Sequence, residues 1–162
     1  MRKLVLLAGL FLIVLAACKK DDDVYDPGPQ LTKDMATIKE YLTKNNLTAK
    51  LDSVSGIYYN IIAPGNGLDS VKFQGSKFKA LYTGRLLDGT VFDSTGTTAR
   101  QFQYNNVILG WQFALQQLYK GGKMKLYLPS FYGYGTKAYA GIPANSILIF
   151  DMEITDIDNN IQ

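Results

Sequence analysis

The chain contains no histidine, which excludes Ser-His-Asp triads, Cys-His pairs and His-held metal sites. Its one cysteine, Cys18, lies near the N-terminus, so no internal disulfide is possible and, once it is modified, no thiol nucleophile remains. Neither a Walker-type loop nor a Rossmann glycine fingerprint occurs; no cofactor and no metal are expected. Carboxylates and aromatic rings are left. Among the carboxylates, Asp88 opens an Asp-Gly pair that reads as a two-residue hairpin turn, where a positive φ is needed. Asp151 and Glu153 share one face of a strand pattern, with Asp156 further along, and a solvated edge explains them better than a glycosidase pair. Asp93 is less easily assigned. The stretch "LYTGRLLDGTVFDS", residues 81–94, sets Phe92 and Asp93 side by side at the far end of a hairpin. A ladder closed by Asp88 and Gly89 pairs Gly84 with Asp93 and puts Tyr82 and Asp93 on one face, Phe92 on the other. Both can line one pocket only where the strand bulges or ends. A buried carboxylate there needs donors, for which Tyr82 O–H and the guanidinium of Arg85 or Arg100 are candidates.

The rings are more informative. Eleven Tyr, eight Phe and one Trp exceed what a small sheet on one helix needs, and several stand beside turn glycines: Tyr82 before Gly84, and Phe131 to Tyr134 around Gly133. Singly, each reads as ordinary core. Together, with Trp111 opening a helix and Phe150 in a late strand, they suit the floor and walls of an apolar pocket.

The elements that must position these residues follow from periodicity. Leu31, Met35, Ile38 and Leu42 fall at helical spacing and predict a short amphipathic helix, closed by Asn45 and Asn46 and packed on its own domain. Residues 56–62, 77–84, 90–93, 123–129 and 146–157 are β-branched or aromatic and bounded by Gly, Pro, Asn or Asp, which predicts strands. Met124, Leu126 and Leu128 alternate with Lys123, Lys125 and Tyr127, implying a buried face and a wet one. Between strands, residues 110–122 place Trp111, Leu115 and Leu118 at helical spacing, with Gly121 and Gly122 as the left-handed stop. Residues 63–70 read as a loop without assigned function. At 162 residues the chain supports one core, and its class is α+β: a curved antiparallel sheet, a half-barrel, wrapped around one short α-helix, with an N-terminal lead-in helix.

The first residues stand apart. Arg2 and Lys3 precede an apolar run over residues 4–14, and "LAAC" at 15–18 follows, so residues 1–17 read as a signal peptide. "LAAC" resembles the lipobox of bacterial lipoproteins, in which the Cys becomes the first mature residue and carries the lipid; the resemblance implies acylation (palmitate) of Cys18 and a membrane anchor. "KKDDD" at 19–23 and "PGPQ" at 27–30 make residues 18–30 a solvated tether. Residues 31–50 form the helical lead-in and 51–162 the main domain. Loss of residues 1–17 removes Arg2 and Lys3, leaving fifteen basic against fourteen acidic side chains and a net charge near +1. No basic cluster remains for a nucleic acid.

Three segments, "YTGRLLDGTVFDS" at 82–94, "VILGWQFALQQLYKGGKMKLYLPSFYGYG" at 107–135 and "GIPANSILIFDMEITDI" at 141–157, resemble the FKBP-type peptidyl-prolyl cis-trans isomerases. The resemblance covers roughly residues 56–158. It implies an aromatic pocket in which Tyr82, Phe92, Asp93, Trp111, Tyr134 and Phe150 carry the activity, while Phe102, Val107, Ile108 and Ile142 bind substrate, with Tyr134 O–H and the Ile142 backbone N–H holding flanking carbonyls. Implied partners are proline-containing segments of exported proteins and macrolides such as tacrolimus or rapamycin. With the lipobox, it implies a protein anchored in the bacterial cell envelope, at the outer membrane on its periplasmic or surface side. The chain departs from the family in a short segment between Phe102 and Trp111, in Gly133 where Ala is usual, and in "TKAYAG" at 136–141 in place of a longer overhanging loop. A binding module or chaperone of the same fold with little catalysis, or a glycan-binding surface lipoprotein, would be the competing roles.

Overall fold

A computed structural model describes residues 28–72 and 74–160; residues 1–17 and Cys18 lie outside them. Along the chain run α1 (Gly28–Lys44), β1 (Lys50–Leu51), β2 (Tyr58–Ala63), β3 (Lys77–Leu86), β4 (Val91–Ser94), β5 (Arg100–Gln103), α2 (Leu109–Gln117), β6 (Lys123–Leu128) and β7 (Leu148–Asp158), with 3₁₀ turns at Tyr104–Asn106 and Ser130–Tyr132. The strands pair antiparallel in the order β1-β2-β6-β7-β3-β4, and β5 pairs with the start of β3. The α+β half-barrel expected from the sequence is the observed architecture, with α2 in its concave side.

Alternation builds the main core. Phe78, Ala80 and Tyr82 of β3, Met124, Leu126 and Leu128 of β6, and Leu148, Phe150, Met152 and Ile154 of β7 all point toward Trp111, Ala114 and Leu115 of α2. Helix and sheet approach closely because Gly110 has no side chain: a Cβ there would lie 2.3 Å from Leu128 Cδ1.

A second cluster occupies another face of the sheet. Ile38 and Leu42 of α1 pack with Tyr58, Tyr127, Ile147 and Ile149. Tyr127, expected on the wet face, is therefore only 2% exposed, because the amphipathic helix covers that part of the sheet. The helix also starts earlier than expected, at Gly28 within the segment read as tether; Pro29 is compatible with a first helical turn, where its missing N–H is no loss. At the other helix, the stop comes sooner. α2 ends at Gln117, with Leu118 already extended, since Tyr119 N–H donates to Pro64 O and Lys120 N–H to Asp69 O. The 63–70 loop thus captures the backbone before Gly121 is reached, and Gly121, at φ +82, turns the chain into β6 instead.

Asp151 and Glu153 do not lie on an edge. β7 is flanked by β6 and β3, and these carboxylates are matched by cations on the neighbouring strands: Arg85 and Lys125 for Asp151, Lys123 for Glu153.

Candidate functional site

The β3–β4 hairpin explains how Phe92 and Asp93 come to share a pocket. Its turn contains three residues rather than two: Gly89 N–H bonds to Leu86 O, Leu86 N–H to Thr90 O, and Gly89, at φ +91, is the turn residue with positive φ. Asp88 does not adopt a positive φ; its carboxylate accepts from Thr90 N–H instead. A three-residue turn shifts the ladder by one residue relative to the two-residue closure. A bulge restores it. Arg85 pairs with Val91, Gly84 with Asp93, and Phe92 is the extra residue between them. Released from regular alternation, the Phe92 ring lies over Gly84, where a Cβ would sit 2.5 Å from Phe92 Cζ and 2.9 Å from Phe150 Cε1.

A pocket of about 280 Å³ opens at this end of the sheet, lined by Tyr82, Phe92, Asp93, Arg100, Phe102, Asn106, Val107, Ile108, Trp111, Tyr134, Tyr139 and Phe150. Nine of the ten sequence-derived site residues are in this lining. Trp111, 4% exposed, forms its base, with Tyr82 (4.8 Å, 85°), Phe102 (5.2 Å, 68°) and Phe150 (5.5 Å, 84°) packed edge-on around it. Such edge-to-face contacts fix ring orientation as well as burying area. The Trp111 indole N–H is buried with no hydrogen-bond partner among the described residues, which leaves the base of the pocket apolar in contact and under-satisfied in polarity.

Phe102 is delivered by β5, a strand that the residues "RQFQ" do not announce. Pairing with Phe78 across the ladder stacks the two rings at 5.6 Å. Val107 and Ile108 precede α2, and Ile108 is its N-cap. Neither the Ile108 N–H nor the Tyr134 O–H bonds to any described residue, and both residues line the pocket.

Ile142 is the exception. Its side chain is buried in the main core rather than in the pocket lining, and its N–H donates to Tyr139 O at 2.8 Å while Tyr139 N–H donates back at 2.9 Å. A tight turn over Ala140 (φ +44) and Gly141 (φ +85) makes that exchange, so the donor is already used. The same turn lays the Tyr139 ring flat on Tyr134, at 4.6 Å and 10°. Tyr139, Asn106 and the pocket contact of Arg100 are additions to the sequence-derived set. Gly141, inside an Ala-Gly pair, is the sequence signal for the turn that presents Tyr139.

Asp93 is not a buried carboxylate. Its side chain is 45% exposed, yet it is well coordinated: Tyr82 O–H donates to Oδ2, Arg100 Nη1 approaches Oδ2 at 3.4 Å, and Ser94 N–H donates to Oδ1 at 2.8 Å. Arg100 Nη1 also donates to the Tyr82 oxygen at 3.0 Å. Of the two arginine candidates, Arg85 is elsewhere, on Asp151 at 2.7 Å. Burial first, then the hydrogen bond and charge of Asp93, push the Tyr82 phenol well above its ordinary pKa. Burial, with Tyr139 and Asp93 adding, raises Tyr134 likewise. Both stay protonated at neutral pH and retain their O–H.

The family described as FKBP-type peptidyl-prolyl cis-trans isomerase matches residues 71–155. An FKBP-type peptidyl-prolyl cis-trans isomerase FkpA of Buchnera aphidicola subsp. Schizaphis graminum is 43% identical over 107 residues, covering 65% of this chain and 42% of that protein. FK506-binding protein 1A of Aspergillus fumigatus is 38% identical over 109 residues, covering 64% of this chain and 96% of that protein. Among solved structures, the crystal structure of FkpA from Escherichia coli superposes with a TM-score of 0.67 at 32% identity, over 81% of this chain and 62% of that one. The chain matches less than half the length of the FkpA relatives.

Proposed function

Because the chain belongs to the FKBP-type peptidyl-prolyl cis-trans isomerase family, we propose that it accelerates rotation about Xaa–Pro bonds in exported proteins, binding the twisted imide in the Trp111 pocket. Rotation is slow because amide resonance is lost at the twisted transition state, a barrier of roughly 18–20 kcal/mol. No covalent bond has to form or break. A millionfold acceleration requires about 8 kcal/mol, more than one donor supplies, so many contacts must favour the twisted form together.

The observation that carries the reading is the base of the pocket: one buried indole with three rings packed edge-on around it. In the mechanism it supports, Trp111 floors the proline ring while Phe92, Phe102 and Phe150 wall it. Val107 closes the side nearest α2. The planar imide is the more dipolar form, so an apolar wall disfavours it relative to the twisted one. Tyr134 O–H and Ile108 N–H hold the flanking carbonyls, the role that Ile142 N–H cannot take. Asp93 and Arg100 lock the Tyr82 ring against Trp111 and move no proton.

The location is part of the same proposal. Cys18 carries the lipid after removal of residues 1–17, and residues 18–27 tether the folded body to the outer membrane on its periplasmic or surface side. Supporting this are the basic start, the short apolar run and "LAAC", with the first described helix beginning ten residues beyond Cys18. Clients are then proline-containing segments of exported proteins, and macrolides such as tacrolimus or rapamycin occupy the pocket as inhibitors. The test is turnover of a proline-containing tetrapeptide by the purified protein with and without rapamycin. Acceleration abolished by the macrolide, and lost with macrolide binding in Trp111→Leu, is expected. Tight macrolide binding with turnover at the uncatalysed rate would leave a binding module in place of an isomerase.

A further inference from the structure

Asp34 is the one buried carboxylate among the described residues, 3% exposed, and it lies on α1, outside the pocket lining. Its Oδ2 accepts both the Ser130 N–H (2.8 Å) and the Ser130 Oγ–H (2.6 Å), and its Oδ1 accepts Gln30 Nε2 (2.7 Å). A helix cap or a simple helix-to-sheet contact would not need both donors of one serine. What Ser130 does next gives the pair its meaning. The Ser130 carbonyl accepts Gly133 N–H (3.0 Å) and Gly135 N–H (2.9 Å), the two residues on either side of Tyr134. Gly135 O in turn accepts Asn145 N–H (2.8 Å). The peptide that carries Tyr134 into the pocket is therefore suspended from Ser130, and Ser130 is fixed from α1.

Gly133 completes the arrangement. A Cβ there would lie 2.7 Å from Leu148 Cδ1, so the turn sits hard against a buried side chain on its inner side. Small movements of Ser130 have to be taken up on the outer side, where Tyr134 stacks on Tyr139. Hydrogen-bonded polar groups in a low-dielectric setting define geometry more sharply than apolar contact alone.

We propose that Asp34 is a positioning residue for the isomerase site: by holding both donors of Ser130 it sets the Tyr134 ring and its O–H, which makes the N-terminal helix part of the active domain. The inference rests on the reading of the pocket as a proline-binding isomerase site. Asn at position 34 retains a carbonyl oxygen for Ser130, and a turned Gln30 amide can meet its NH₂ group, so a conservative replacement should preserve the function.

The experiment compares Asp34→Ala, Asp34→Asn and Ile38→Ala in the full chain, well below their melting temperatures. Ile38 is a fully buried residue on the same helix that packs in the second core with Tyr58, Tyr127 and Ile149, while the Ser130 hydrogen bonds from α1 belong to Asp34, so its variant reports on loss of α1 packing with those bonds kept. Two readouts are taken: tetrapeptide kcat and KM, and the NMR resonances of the Tyr134 ring. In Asp34→Ala we expect kcat/KM to fall about tenfold, mostly through KM because the proposed role of the Tyr134 O–H is to hold a carbonyl of bound substrate, together with a shift of the Tyr134 resonances. Asp34→Asn should restore both, and Ile38→Ala should lower the melting temperature while leaving both unchanged. If Asp34→Ala fails to fold, Ser130→Ala, which keeps the N–H bond, should move both readouts in the same direction by less. The proposal is overturned if the alanine variant, or Ser130→Ala in its stead, matches Ile38→Ala in both readouts, or if Asp34→Asn does not rescue. The resonance shift is read without turnover, so a wild-type protein that proved inactive would refute the isomerase reading and leave the Tyr134 positioning to be judged on the spectrum.

Discussion

A carboxylate that accepts from a phenol, a guanidinium and a backbone N–H has its lone pairs directed at fixed donors rather than at a substrate proton. General acid-base catalysis at Asp93 would make Asp93→Asn lose about 10²–10⁴-fold in rate. The holding role predicts a smaller drop in kcat/KM, under about tenfold, because Asn keeps an acceptor for Tyr82. Asp93→Leu removes that acceptor and leaves the Tyr82 O–H unmatched, at about 1–3 kcal/mol for a buried donor. Thermal unfolding and turnover should fall together in that variant; near-complete inactivity of Asp93→Asn with an unchanged melting temperature would contradict the holding role. Gly84 is the second residue whose identity matters. Replacing it with Ala puts a methyl within 2.5 Å of the Phe92 ring, and overpacking of this kind costs about 1–3 kcal/mol. Phe92 has freedom on its solvent side, so the expected result is a displaced wall: a raised KM with a modest loss of stability, measurable by steady-state kinetics and urea unfolding.

At the scale of elements, legibility followed side-chain pattern. Strands whose apolar residues alternate, such as β3, β6 and β7, stand out because period-two burial is a local signal. β5 and β1 do not. "RQFQ" becomes a strand because Phe102 pairs with Phe78, and Lys50–Leu51 because β2 offers an edge; both depend on partners distant in sequence. The early end of α2 and the burial of Tyr127 have the same origin, a loop and a helix supplied by tertiary structure. The bulge at Phe92 was legible as a need, though not as the compensation for a three-residue turn. The buried tyrosines give this layer a pH signature. Burial, with Tyr41 and Asp151 adding, pushes the Tyr127 phenol up to about 12 from an ordinary 10.0. The unfolded chain then loses that proton first, so the stabilisation is complete below pH 10 and declines as pH rises toward 12. Urea midpoints should fall across that window, and Tyr127→Phe should reduce the slope; an equal slope in the variant would contradict the assignment.

The whole molecule is a half-barrel with its aromatic pocket open at one end and a helix closing a second core on another face. No helix of the described residues is long and apolar enough to cross a membrane; the proposed anchoring rests on Cys18 and the "LAAC" that ends in it, outside those residues. Cys18→Ala should abolish incorporation of labelled palmitate and membrane fractionation while tetrapeptide turnover persists, since the described residues that line the pocket all lie between Tyr82 and Phe150, far along the chain from Cys18. Label entering the variant would refute the lipid site. The central claim is that the pocket turns an imide without making bonds or moving protons. With no histidine in the chain and Tyr82 and Tyr134 held protonated, no group of the proposed machinery needs to change its charge for catalysis near neutrality. Exchange NMR on a proline-containing tetrapeptide, with catalytic amounts of the protein at pH 6, 7 and 8 and in H₂O and D₂O, measures the rotation itself. The account predicts cis–trans exchange far above the uncatalysed rate, level across that pH range and without a solvent isotope effect. Exchange that follows a titration curve and slows in D₂O, or that does not rise above the uncatalysed rate, would contradict it.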